Sequence, residues 1–180
     1  MSRATLRRTL CSLFAAASLA ALATAPAARA DDIYGSWAAP DRWSLGLMLG
    51  GPTGLTLEKN LPSGNAWDLG LGFIYGPGIR LHGDYLWTIA GSNTDSDLFI
   101  RFQIGVGALV GSLTHPCEFY GSFGDCNNGF YAGARVPFVL ELWPRGAPLN
   151  FGLEIAPVIA FNSAGVGGFL DAFVFVRFVL

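Results

Sequence analysis

The sequence predicts an all-β fold: an eight-stranded antiparallel up-and-down transmembrane β-barrel. Three observations lead there. The chain is 52% hydrophobic and 13% charged, with 24 glycines in 180 residues, which is too apolar and too glycine-rich for an ordinary soluble domain. Its one long apolar stretch lies at the N-terminus. An apolar chain without later membrane helices must satisfy its backbone in lipid by closing a sheet on itself. The remainder breaks into about eight segments of two-residue periodicity, and eight is the smallest common size of an outer-membrane barrel.

Residues 1–30 read as a signal peptide. Arg3, Arg7 and Arg8 form a basic start, "LFAAASLAALATA" is the apolar segment, and Ala28-Arg29-Ala30 is a small-x-small cleavage site. Cleavage removes four of the 11 basic residues (Arg3, Arg7, Arg8, Arg29). Seven basic residues then face 13 acidic ones, a net charge of −6. So acidic a chain is a poor partner for nucleic acid. Residues 31–42 form an N-terminal lead-in and 43–180 the barrel domain. With Cys11 removed, Cys117 and Cys126 remain in one loop, and an exported chain favours a disulfide between them. A pair of metal ligands is the alternative, with His115, Glu118 and Asp125 as the nearby donors.

The expected strands are 43–50, 53–60, 66–75, 79–89, 98–111, 130–143, 149–161 and 169–180. Between them lie "GGP", "LPSGN", "GPG", "GSNTDSD", the cysteine loop, "PRGAP" and "NSAGVGG", each rich in residues that turn the chain. In 149–161, Phe151, Leu153, Ile155, Pro157 and Ile159 alternate with Asn150, Gly152, Glu154 and Ala156. In 169–180, Leu170, Ala172, Val174, Val176, Phe178 and Leu180 alternate with Asp171, Phe173, Phe175, Arg177 and Val179. The other segments behave alike: one face is apolar, the other holds charged and small residues. Glycine covers solvent-facing surface poorly but fits a crowded, narrow interior, so the apolar face is assigned to lipid and the mixed face to the lumen. A soluble lipocalin-like barrel is the structural alternative. Pro137 and Pro157 fall inside strands, where bulges are expected.

An even strand number puts both ends of the domain on the periplasmic side and the cysteine loop outside. Trp43, Trp67, Trp87 and Trp143 then all fall at the periplasmic end, as an aromatic girdle would. The first three share lipid-facing parity; Trp143 is out of parity, next to a turn. Tyr75 and Phe130 mark the opposite boundary.

The stretches "GLMLGGPTGLTLEKNL", "AWDLGLGF", "LHGDYLW" and "RVPFVLEL" resemble a group of small Gram-negative outer-membrane barrels, OmpA-type in architecture and of uncertain function. The closing "FVFVRFVL" is similar to the alternating signal read by the barrel-insertion machinery, with Leu180 where that signal carries an aromatic and Phe178 on the same face. The resemblance implies the fold, an outer-membrane address, and the bilayer, lipopolysaccharide and insertion machinery as partners. It carries no catalytic residues.

The lumen-facing charges are Glu58, Asp68, Asp84, Glu141, Glu154 and Asp171, against Arg80, Arg101, Arg135 and Arg177, with His82 beside them. Unpaired buried charges are costly, and eight strands enclose a space that side chains can fill. The expected interior is therefore a salt-bridged plug, with narrow passage for water or small ions as the functional variant. Catalysis, a cofactor and a metal are not expected. No Gly-x-Ser-x-Gly elbow occurs, and a lipid-modifying enzyme, the enzymatic alternative, needs a His–Ser pair on the membrane-facing side. The loop 112–129 carries Phe119, Tyr120 and Phe123, which can bind an extracellular ligand or pack on one another.

Overall fold

The computed structural model describes residues 41–74, 78–93, 98–113, 129–144, 147–162 and 165–180. The signal segment, most of the lead-in, Tyr75, and Cys117 and Cys126 with most of their loop lie outside the described residues. Nine strands follow in chain order: β1 (Trp43–Gly51), β2 (Thr53–Asn60), β3 (Ala66–Ile74), β4 (Gly78–Asn93), β5 (Leu98–Leu113), β6 (Gly129–Arg135), β7 (Phe138–Pro144), β8 (Leu149–Asn162) and β9 (Gly165–Val179). They form a single antiparallel sheet ordered β4-β3-β2-β1-β9-β8-β6-β5-β7. Because β4 also pairs with β5, and β7 with β8, the sheet closes into a ring.

The ninth strand corrects the expected eight, and prolines account for it. β6 and β7 lie end to end between β5 and β8 and together cover the predicted strand 130–143. The break between them is Val136-Pro137. It faces Ala156 and Pro157 of β8, in the gap between the pairs Arg135↔Val158 and Phe138↔Ile155. Neither proline has an N–H to donate. Their carbonyls still accept, from Val136 N at 3.1 Å and Gly105 N at 2.8 Å, so the register continues across the interruption. No bulge forms at Pro157, which pairs in register with Leu170. The register shift sits instead between Thr88 and Ala90 on β4, where Ile89 and Ala90 are both exposed.

Two strands reach furthest beyond their expected ends. β4 runs to Asn93 against Phe99, and β9 starts at Gly165 against Asn162. The "LPSGN" turn is as expected. Leu61 N donates to Asn65 O at 2.8 Å and Gly64 N to Leu61 O at 2.9 Å, with Gly64 at φ 81°, a conformation open to glycine without steric cost.

Burial follows the two-residue period. On β8, Leu149, Phe151, Leu153, Ile155, Ile159 and Phe161 are exposed while Asn150, Glu154, Ala156, Val158 and Ala160 are buried. Inside the ring, Phe99, Trp143 and Val179 pack together at the end where β1 starts. Leu109, Tyr131, Val158 and Ala160 pack with Phe169 toward the other end. Met48, Leu86, Val139, Phe173 and Phe175 form a third apolar cluster. Outside, among the described strand residues, Lys59 is the one charge on the outward parity.

Interior glycines make room for the charged side chains. Gly46 stands opposite Arg177, and a Cβ there would meet the Val176 carbonyl oxygen at 1.9 Å and Arg177 Cα at 2.6 Å. At Gly70 the nearest atoms a Cβ would meet are those of the His82 ring. Backbone yields less readily than a side-chain tip. Gly46→Ala should therefore cost roughly 1–3 kcal/mol, as overpacking does, and Gly70→Ala less. Comparative denaturant unfolding checks the order; equal costs would contradict it.

The charged interior as candidate functional site

All eleven titratable residues assigned to the lumen from sequence are buried inside the ring: Glu58, Asp68, Arg80, His82, Asp84, Arg101, Arg135, Glu141, Glu154, Asp171 and Arg177. Strand alternation puts them there, since each shares the parity of other buried residues on its strand. They form two groups.

The first group centres on Arg177 of β9 and Arg101 of β5. The Arg177 guanidinium donates to Thr56 Oγ1 at 3.0 and 2.9 Å, to Asp68 Oδ2 at 2.9 Å and to Glu141 Oε1 at 3.0 Å, and it also pairs with Glu58. Arg101 donates to Glu141 Oε2 at 2.7 Å, Asn60 Oδ1 at 2.6 Å and Glu58 Oε1 at 2.5 Å. Glu58 and Glu141 are thus each shared by two arginines. The planar guanidinium fork suits this bridging, which a lysine ammonium could not reproduce. Phe175 lies 3.9 Å from the Arg177 guanidinium carbon and Trp143 5.2 Å from that of Arg101, measured to ring centroids. These aromatic faces add favourable contacts with the cations.

The second group belongs to Arg80 and Arg135. Arg80 grips Asp171 with both terminal nitrogens, at 2.8 and 2.7 Å. Arg135 pairs with Glu154, lies 3.5 Å from Asp84 and reaches Asp171 at 4.0 Å. His82 Nε2 is 4.0 Å from Asp84 Oδ2.

None of the protein families, curated proteins or solved structures compared with the chain matches it. The site is therefore argued from its own geometry.

The interior contains neutral polar residues that the charge list omitted. Thr56 accepts from Arg177 and donates to Asp68 Oδ1 at 3.0 Å, joining the two. Asn60 holds Arg101, and Gln103 donates to Thr88 Oγ1 at 3.3 Å. The available signal was parity: Thr56 and Asn60 flank Glu58 at two-residue spacing, and Gln103 follows Arg101 in the same way.

Trp143 is a correction. Expected among the boundary aromatics, it is instead 1% exposed. It shares the inward parity of Glu141, and its indole N–H donates to Glu141 Oε2 at 2.9 Å. Its polar edge thus finds a partner inside the ring, as a buried tryptophan requires. Trp43 and Trp67 are exposed, at 42% and 51%, and Trp87 is half-buried. Tyr85 bridges Trp67 and Trp87 with centroid distances of 4.9 and 5.1 Å, and Asn65 Nδ2 donates to its hydroxyl at 2.9 Å. Lys59 lies over Trp43, with Nζ 5.0 Å from the ring centroid, and pairs with Asp41 at 3.0 Å. The outward belt at this end is therefore aromatic and polar, beside an apolar wall.

Chemically, the interior can hold strands together through charge and can hold protons or cations.

Proposed function

We propose that the chain is an integral outer-membrane β-barrel of a Gram-negative envelope, with a lumen plugged by ion-paired side chains. Its role is structural or surface-interacting, with passage limited to water or small ions. The observation that carries this reading is the inversion of the ring. Its wall exposes Leu45, Leu47, Leu71, Phe73, Leu153 and Val176, among many others, while arginines and carboxylates are enclosed. Water-soluble monomers rarely leave large contiguous apolar patches exposed. Hydrocarbon favours this wall, and the closed sheet leaves no unpaired edge in lipid. Trp43, Trp67 and Trp87 with Tyr85 support a membrane–water boundary at one end. We assign that end to the periplasm and the cysteine loop 112–129, the candidate contact for an extracellular ligand, to the cell surface. Lipid and lipopolysaccharide would surround the wall, and the insertion machinery would act on the chain during assembly.

The test is cell fractionation with heat-modifiable gel migration. The folded protein is expected in the outer-membrane fraction, shifting its apparent size on boiling. Folded protein confined to the soluble periplasm would overturn the membrane assignment.

A further inference from the structure

We propose that Asp68, His82 and Asp84 form a binding site for one divalent transition-metal ion inside the ring. The inference rests on the interior alone and stands apart from the membrane assignment.

The register creates the problem that a cation would solve. Glu58 pairs across β2–β3 with Asp68, and Asp68 across β3–β4 with Asp84. Three carboxylates therefore run in one row over three adjacent strands. Like charges directly opposite one another destabilise a sheet. Arg177 serves the Glu58 and Asp68 end of the row. At the other end, among the described residues, Asp84 has Arg135 at 3.5 Å and His82 at 4.0 Å beside it.

Geometry brings three donors together. Asp68, His82 and Asp84 each present one ligand atom, and these atoms lie within 4.8 Å of one another. Metal bonds of about 2.0–2.2 Å need the donors to close by about 1 Å, which side-chain rotation can supply. The two side chains owe their places to glycines. The His82 ring lies over Gly70 and the Asp84 carboxylate against Gly107, where any Cβ would collide with them.

An independent observation points to a ligand. His82 is 1% exposed and Asp84 fully buried, yet neither ring nitrogen of His82 and neither carboxylate oxygen of Asp84 has a hydrogen-bond partner. Buried polar groups are normally satisfied. The charge balance points the same way. Among the described residues, the buried charged side chains are six carboxylates (Glu58, Asp68, Asp84, Glu141, Glu154, Asp171) and four arginines (Arg80, Arg101, Arg135, Arg177). With His82 neutral and every one of these carboxylates ionised, the sum is −2, which one dication would cancel. An imidazole with two carboxylates suits zinc or its first-row neighbours better than calcium or magnesium, which favour all-oxygen sites.

The experiment folds the full chain in detergent with Co2+ and removes loosely held metal with a weak chelator. Bound metal is then counted per chain and the visible Co2+ absorption recorded. One Co2+ per folded chain is expected, displaced by Zn2+ and not by excess Mg2+ or Ca2+. His82→Gln and Asp84→Asn, each verified as folded by circular dichroism, should bind at least about tenfold more weakly, since even indirect support of a metal site is worth that much. A Cys117→Ser/Cys126→Ser variant should keep the full complement. Folded wild-type protein without metal would overturn the proposal in favour of protons on the carboxylates. So would undiminished binding in folded His82→Gln protein, or loss of the metal with the cysteines.

Discussion

Replacing Arg177 by methionine is expected to cost about 3–5 kcal/mol of folded stability, the usual penalty for removing one partner of a buried charge cluster. The guanidinium contacts Glu58, Asp68, Glu141 and Thr56. Methionine fills much of the same volume beside Phe175 but leaves three carboxylates short of a cation. Arg101 still reaches Glu58 and Glu141, whereas among the described residues Asp68 keeps the Thr56 hydroxyl as its one side-chain hydrogen-bond donor. Arg177→Lys should recover little, because a point charge cannot span the four partners. Equilibrium urea unfolding in detergent or vesicles measures both. A loss below about 1 kcal/mol for Arg177→Met would put the pair in the range of exposed salt bridges and contradict an enclosed network.

Val174→Arg probes the opposite face. Val174 is 52% exposed and stands between Leu49 on β1 and Leu153 on β8. An arginine there does not disturb the interior. If the wall meets hydrocarbon near the bilayer midplane, the substitution costs roughly 2–4 kcal/mol in vesicles. On a water-facing wall it would stay within about 0.5 kcal/mol, like most surface changes away from special features. Unfolding in lipid vesicles therefore separates the two environments at a single residue.

The alternation of apolar and mixed residues made the strands and their two faces legible in sequence, since the period of two does not depend on distant partners. The same rule would have placed Trp143 inside with Glu141, but proximity to the "PRGAP" turn outweighed it. Strand ends were less legible. The start of β9, "GVGG", has too little side-chain contrast to register as alternation, and its pairing comes from β8. The extra residue at Ile89 hides the end of β4 in a phase change. Pairing of the interior charges was not legible at all. Arg177 finds Glu58 and Asp68 more than 100 positions away, and that choice depends on the stagger of strands around the ring. The break at Pro137 depends equally on which residue of β8 stands across from it.

β9 also completes the charge pairing of strands that precede it in the chain. It is the ninth strand in chain order and closes the ring against β1, with Leu180 N donating to Trp43 O at 2.8 Å. Its Arg177 reaches carboxylates on β2, β3 and β7, while Asp171 answers Arg80 on β4. Until β9 docks, strands made earlier hold charges whose counterions have yet to arrive. A ring without β9 is thus electrostatically incomplete, with Asp68 lacking Arg177 and Arg80 lacking Asp171, much as a bracelet stays open until its clasp engages.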